Sequence, residues 1–199
     1  PFNIIEEFLF NENITYSKLN KKALDVLCRS GALGCLMDDR FTGGKHFWSS
    51  IAVDRPRKEK NLADNIEKYA PEGDFTDEEK IEYLSDLTGV FPFNLVLDEQ
   101  VQRRLNERYV PPISEYDPDL QVVWFVPRKV IIKKTKNGKE YYLIETIDCN
   151  SVQTVIKCWG VKPGKDSIFI NRPYMAKLDY DEQWGFSTRS IRHTFKLLG

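Results

Sequence analysis

The sequence predicts an α+β chain of two modules, helices first and a small β-barrel after them. Three observations carry this. Apolar residues recur at helical spacing until about residue 110, the period changes to that of strands after Leu120, and the formal charge changes sign at the same place. Residues 1–120 hold 15 Lys and Arg against 23 Asp and Glu, a net of −8, whereas residues 121–199 hold 14 against 7, a net of +7. Such asymmetry predicts two functional units, the second with an anionic partner. The composition, 41% hydrophobic and 30% charged over 199 residues, is globular rather than disordered or fibrous. Apolar runs are short, Val122 to Val126 being typical, so no membrane-spanning helix is expected.

The N-terminal residues Pro1 to Glu7 lack the basic start and apolar stretch of a secretion signal, which predicts a cytoplasmic setting. A first residue of Pro fits either a trimmed initiator Met or a piece of something longer. The four cysteines, Cys28, Cys35, Cys149 and Cys158, lack the two-residue gaps of a zinc knuckle and are expected as small buried apolar side chains.

Taken in order, the helical signals begin with Ile4, Ile5, Phe8 and Leu9, and Asn11-Glu12-Asn13 breaks them. A second helix starts near Lys18 or Asn20, runs through Leu24 and Leu27, and stops at Ser30-Gly31, because glycine enters the left-handed region without strain. Asp64 to Tyr69 reads as a helix end. Thr76-x-x-Glu79 is a capping box that opens a helix with Ile81, Leu84 and Leu87 inward, ending at Gly89. Leu97, Val101, Leu105 and Tyr109 mark one more helix, stopped by Pro111-Pro112. The expected domains are a helical module over 1–112, a polar linker over 113–120 and a barrel over 121–199.

In the barrel, Gln121 to Ile132 is a strand interrupted by Pro127-Arg128-Lys129, and Asn137-Gly138 predicts a type I′ hairpin turn to a second strand, Glu140 to Ile147. Val152 to Trp159 is a third strand, with Ser167 to Ile170 and Tyr174 to Leu178 as two more. Five short strands in so few residues predict an oligonucleotide-binding (OB) barrel. The tail from Ser187 to Leu198 has helical spacing and basic residues, so a C-terminal basic helix is expected.

The chemistry concentrates in this second module. Lys133, Lys134, Lys136 and Lys139 crowd one tight turn, where a phosphate backbone would relieve their repulsion by releasing counterions. Aromatics flank them: Trp124 and Phe125 before, Tyr141 and Tyr142 after, Trp159 on the third strand. A basic groove with stacking rings is how single-strand binders work. Strand alternation sends one of each adjacent pair to the core, and alternation alone does not say which. Tyr142 is carried as the groove-facing candidate, together with Lys157 and Trp159 on strand three and Arg128 and Lys129 at the interruption. Catalytic patterns are missing: there is no phosphate-cradling glycine loop, no nucleophile elbow and no Cys/His nucleophile context. His46 and His193 have no acid or cysteine at metal-like spacing, and a set of Cys28, Cys35 and His46 lacks a fourth ligand. No cofactor is expected.

The stretch from Ile4 to Phe8 and then Leu19 through Gly34 resembles the C-terminal region of bacterial and phage family C replicative DNA polymerases, the polymerase III alpha subunit. Lys21, Ala23, Leu24, Leu27, Gly31 and Ala32 carry the match, with Leu33-Gly34 in place of the usual Phe-Asp. Glu79-Lys80-x-Glu82-x-Leu84, then Lys134 to Lys139, Asp148 and Val152 to Trp159, follow in the family's order, and nothing after Tyr174 does. The resemblance implies a helix-hairpin-helix element in which Arg29, Ser30, Gly31 and Ala32 touch duplex phosphates, and an OB module on single-stranded template. It also implies partners: primer-template DNA, a polymerase catalytic core and other replisome proteins. The catalytic acids, fingers and phosphoesterase domain of that family have no counterpart in these residues, and no sliding-clamp pentapeptide follows residue 35. The resemblance therefore implies part of a DNA-directed DNA polymerase, as a fragment or as a separately encoded piece of a divergent one. Two rivals stay open on the residues: a free-standing single-stranded DNA- or RNA-binding accessory protein, and a protein-interaction module.

Overall fold

A computed structural model describes residues 2–198, an α+β chain that divides into two compact units, one up to Phe91 and one from Pro92. Among the described residues no helix is long and apolar enough to cross a membrane.

The first unit is helical. It contains α1 (Ile5–Leu9), α2 (Lys21–Arg29), a 3-10 turn (Gly34–Leu36), α3 (Gly44–Trp48) running into a π turn (Ser49–Val53), α4 (Glu59–Tyr69), a second 3-10 turn (Ala70–Glu72) and α5 (Asp77–Thr88). Local chemistry sets several ends. The Asn20 side chain accepts the Ala23 N–H and starts α2. The expected capping box of Thr76 and Glu79 starts α5, and Gly89 ends it. Ile5, Leu24, Ile51 and Leu62 are fully buried at the centre of one apolar cluster. His46 is sealed among them. Its Nδ1 accepts the Thr42 N–H at 2.9 Å, so Nε2 carries the proton and donates to the Ile66 carbonyl at 2.8 Å. Both ring nitrogens are thereby used, and no cluster of metal-ligating groups occurs among the described residues.

Helix α6 (Glu99–Glu107), capped by the Asp98 side chain on Val101 N–H, belongs to the second unit rather than to the helical module. The unit boundary at Phe91 therefore lies well before the expected one at residue 112. Moving it also evens the charge: residues 1–91 hold 12 basic against 17 acidic groups, net −5, and residues 92–199 hold 17 against 13, net +4. The expected linker is likewise corrected. Residues Ile113–Glu115 form a 3-10 turn, Ile113 is fully buried in the second unit's core, and the Tyr116 hydroxyl donates to the Leu178 carbonyl. Polar composition concealed two anchoring apolar side chains.

Among the described residues seven strands follow: β1 (Val122–Lys134), β2 (Glu140–Ile147), β3 (Gln153–Cys158), β4 (Tyr174–Lys177), β5 (Asp179–Asp181), β6 (Gly185–Thr188) and, after the single turn α7 (Ile191–Thr194), β7 (Phe195–Leu197). They lie in the order β5-β6-β3-β2-β1-β4-β7, antiparallel except for β3 beside β6. β1 does two jobs. Val122–Phe125 pair with β4, and from Val126 onward the strand pairs with β2, the register shifting between Pro127 and Lys129. Proline cannot donate to a ladder, and a bulge there bends the strand from one partner to the next. β4 and β5 stand near opposite ends of the order yet are separated by Leu178 alone, so the sheet must curl for one residue to join them. The concave side holds Phe125, Tyr142, Ile144, Ile156 and Cys158.

Two further expectations are corrected here. Ser167 to Ile170 is not a strand. The C-terminal basic helix shrinks to α7, because Phe195 to Leu197 pairs with β4 instead; ladder hydrogen bonds outweigh a weak helical period. The cysteines also divide. Cys158 lies in the core and Cys28 is mostly covered, and burial pushes each thiol up to about 12, while Cys35 and Cys149 are exposed. Reactivity follows the thiolate. Alkylation of the native protein, counted by intact mass, should therefore label Cys35 first and Cys149 more slowly, with Cys28 and Cys158 reacting only after denaturation. Early labelling of Cys158 would contradict this core.

Candidate nucleic-acid interface

The loop between β1 and β2 projects the predicted lysines. Thr135 N–H donates to the Lys139 carbonyl, Gly138 N–H to the Thr135 carbonyl, and Lys139 N–H to Thr135 Oγ1. Gly138 has φ of +75° while Asn137 is not among the positive-φ residues, so the expected type I′ turn is replaced by a three-residue loop with a left-handed glycine. The loop is one residue longer than predicted and spreads its lysines. Lys133, Lys136 and Lys139 are exposed and have no ion-pair partner among the described residues; Lys134 sits 3.5 Å from Glu140.

The register turns these strands into rows. Lys133 stands opposite Tyr141, and because Leu143 pairs with Lys157, Tyr141 comes opposite Trp159. Residues directly opposite in an antiparallel ladder share a face. Lys133, Tyr141 and Trp159 thus form one row on the convex side, and Ile131, Leu143 and Lys157 form the next. The rings of Tyr141 and Trp159 stack with centroids 4.5 Å apart and an interplanar angle of 32°, and Trp159 keeps 37% of its surface exposed. From the hairpin between β5 and β6, Trp184 is 63% exposed. Its carbonyl accepts Lys157 Nζ at 2.8 Å, and the same ammonium lies 5.4 Å from its ring centroid. Asp181 shapes that hairpin by accepting the N–H groups of Gln183 and Trp184.

The same parity corrects Tyr142. It pairs with Cys158 in the interior row, is 5% exposed, and its hydroxyl donates to the Asp166 carbonyl. Burial pushes its phenol pKa up. Tyr142 is a core residue and Tyr141 takes its place on the face. The strand's own pattern does not decide between them, since Tyr141 alternates with Leu143 and Glu145 while Tyr142 alternates with Ile144 and also with Glu140. Trp184 went unnoticed because Asp-Glu-Gln-Trp-Gly reads as a polar turn. Arg128 and Lys129 lie at the β1 bulge, toward the other end of β2. Arg128 Nη1 donates to Asn171 Oδ1 at 2.5 Å and borders a cavity of about 500 Å³ with Glu145, Gln153 and Val155; Lys129 is exposed opposite Glu145.

In the helical unit the expected phosphate contact looks different. Arg29 is bound to Asp25 at 2.5 Å and covers the Tyr83 ring at 4.6 Å. Ser30 N–H and Gly31 N–H are spent on the Val26 and Cys28 carbonyls, Gly31 turning the chain at φ of +77°, and Ala32 is exposed. The second helix of a hairpin does not follow at once. One 3-10 turn buries Leu33 and Leu36 at three-residue spacing, and the next helix begins only at Gly44. Two of the four residues thus have their backbone donors occupied and a third has its charge paired.

No protein-family model matches the chain and no curated protein matches it, so its function is argued from the residues of this face.

Proposed function

We propose that the second unit is an OB-type barrel that binds single-stranded nucleic acid across the convex face of β2 and β3. The observation that carries this reading is the Tyr141–Trp159 stack, half-buried Tyr141 against exposed Trp159, in one row with Lys133. If β4 and β5 count as one strand broken at Leu178, then β1, β2, β3, β4–β5 and β6 make five strands, with β7 added at an edge. The loop joining the first two strands carries the lysines, and the loop joining the last two carries Trp184. Both flank the β2–β3 face, the arrangement that OB barrels use for oligonucleotides. Rings supply stacking surfaces for bases while lysines track the phosphates. By the resemblance in the sequence, the setting is DNA replication: the C-terminal region of a replicative polymerase alpha-like subunit, its barrel on single-stranded template and its helical unit, through the stretch of Arg29, Ser30, Gly31 and Ala32, on the duplex.

Fluorescence anisotropy with a labelled single-stranded oligonucleotide, repeated across a salt series, tests the reading. Three unpaired lysines predict a slope of log K against log salt of about −2, from roughly 0.7 per phosphate contact on single strands. Lys136→Glu should flatten that slope on every sequence tried. Trp159→Ala should weaken binding about 10- to 100-fold with the slope unchanged, since a stacked base contributes about 1–3 kcal/mol. Absence of single-strand binding at low salt would overturn the proposal. Equal affinity for a primer-template junction and a bare strand would retain the barrel's role and discard the duplex contact.

A further inference from the structure

A second charged feature belongs to the helical unit. Arg55 is 9% exposed, and an arginine stays charged at any ordinary pH. Buried charges are normally paired. Arg55 is not: Nη1 donates to the Tyr16 carbonyl at 2.8 Å, Nε is buried without a hydrogen-bond partner, and no carboxylate reaches the guanidinium among the described residues. Its Cζ stacks 3.6 Å from the Tyr16 ring centroid, and Arg57 approaches the same ring at 5.5 Å. These residues border a cavity of about 320 Å³ whose other walls are Leu9, Phe10 and Pro56, with no acidic side chain among them. That volume is at the lower end of small-molecule sites, about 300–1,000 Å³. The nearest acid in sequence, Asp54, is already held by Lys68 at 2.9 Å. The chain then passes from Arg57 and Lys58 into α4, whose N-terminus has no side-chain cap. Burial presses the Arg55 pKa below its usual value, and the neighbouring Tyr16 opposes that shift only in part.

We infer that the cavity between Tyr16 and Arg55-Pro56-Arg57 is a phosphate-binding site, in which an oxyanion supplies the countercharge that Arg55 lacks. Arg55 is the buried anchor, its guanidinium bordering the cavity with no carboxylate beside it; Arg57 closes from the exposed side; Tyr16 fixes the guanidinium plane by stacking. A phosphate group reaches such a site either as a terminal phosphomonoester or as an internal phosphodiester of a strand. The site is built from residues of the first unit alone and does not depend on the reading of the second.

The test is an NMR titration of the intact chain, following the Arg55 Nε–Hε resonance. Inorganic phosphate should shift it with saturation, whereas chloride at matched ionic strength should not. A nucleoside 5′-monophosphate and an oligonucleotide without terminal phosphates then distinguish the two sources: saturation by the first marks a phosphomonoester, and by the second a phosphodiester. Arg57→Gln, at an exposed position, should weaken phosphate binding about tenfold, the worth of one charge-assisted contact. Lys136→Glu in the barrel should leave it unchanged. Arg55→Ala should abolish it, and if that variant fails to fold, Arg57→Gln carries the comparison. No saturable shift at tens of millimolar phosphate, or an equal shift with chloride, would overturn the site, whatever the barrel binds.

Discussion

Phe125→Ala is expected to destabilise the second unit by about 4 kcal/mol, while Trp159→Ala, which removes a larger ring, costs less than about 1 kcal/mol. Phe125 is fully buried on the part of β1 that pairs with β4, and its ring meets Phe195 edge to face at 5.3 Å. Truncating a buried phenylalanine costs about 3–5 kcal/mol in transfer and cavity energy, and an edge-to-face pair adds about 0.5–1.5 kcal/mol. Trp159 leaves the sheet's end with its ring against Tyr141 and solvent, so its truncation opens no cavity. With a urea dependence of about 1–3 kcal/mol per molar, the Phe125 variant should unfold about 2 M earlier and the Trp159 variant near the wild-type midpoint. The comparison separates core aromatics from the candidate binding face without any ligand. A Trp159→Ala cost matching that of Phe125→Ala would mean that the ring is structural, and the face would lose its main stacking element.

That contrast also shows how much could be read before the structure. Helix starts were legible where one side chain closes the backbone, as Thr76 and Glu79 do, because capping is local chemistry. The strand pairing of β1, β2 and β3 was legible from the Asn137-Gly138 punctuation and the apolar runs. What failed depended on partners distant in the chain. Phe195 to Leu197 has helical spacing with its neighbours, yet β4 lies alongside and offers a ladder. Ile113 and Tyr116 sit in a polar, proline-containing stretch, and only the core shows that they are anchors. Tyr141 and Tyr142 are chemically identical neighbours, and parity with Ile144 and Ile156 assigns them. Arg55 drew no notice because a single arginine carries no pattern. Its meaning comes from burial without a partner, which no window of sequence displays.

Asp148→Ala should destabilise the same unit by about 3 kcal/mol, although the residue lies in a turn and touches no part of the proposed face. Its side chain is fully buried and accepts three backbone N–H groups: Ser114 at 2.8 Å, Asn150 at 3.1 Å and Val152 at 3.3 Å. Its own carbonyl accepts the Ser151 N–H at 2.8 Å, while Ser151 holds φ of +59°. Asn150 Nδ2 reaches back to Ser114 Oγ and Glu115 Oε1, both at 2.9 Å. One carboxylate thus ties the β2–β3 turn to the stretch that precedes the sheet. A hydrogen bond to a charged group is worth about 1.5–3 kcal/mol, and a buried donor left unpaired costs about 1–3 kcal/mol. Ser114, Asn150 and Val152 are all exposed residues, so water can satisfy part of what is freed and the full sum is not reached. Asp148→Asn keeps the shape but turns an NH2 toward at least one donor, so it should cost about half as much. Asn150→Ala, which loses only exposed contacts, should stay within about 1 kcal/mol. Urea midpoints for the three variants check the order, and an Asp148→Ala cost below about 1 kcal/mol would show that this tie does not hold the sheet's leading segment in place.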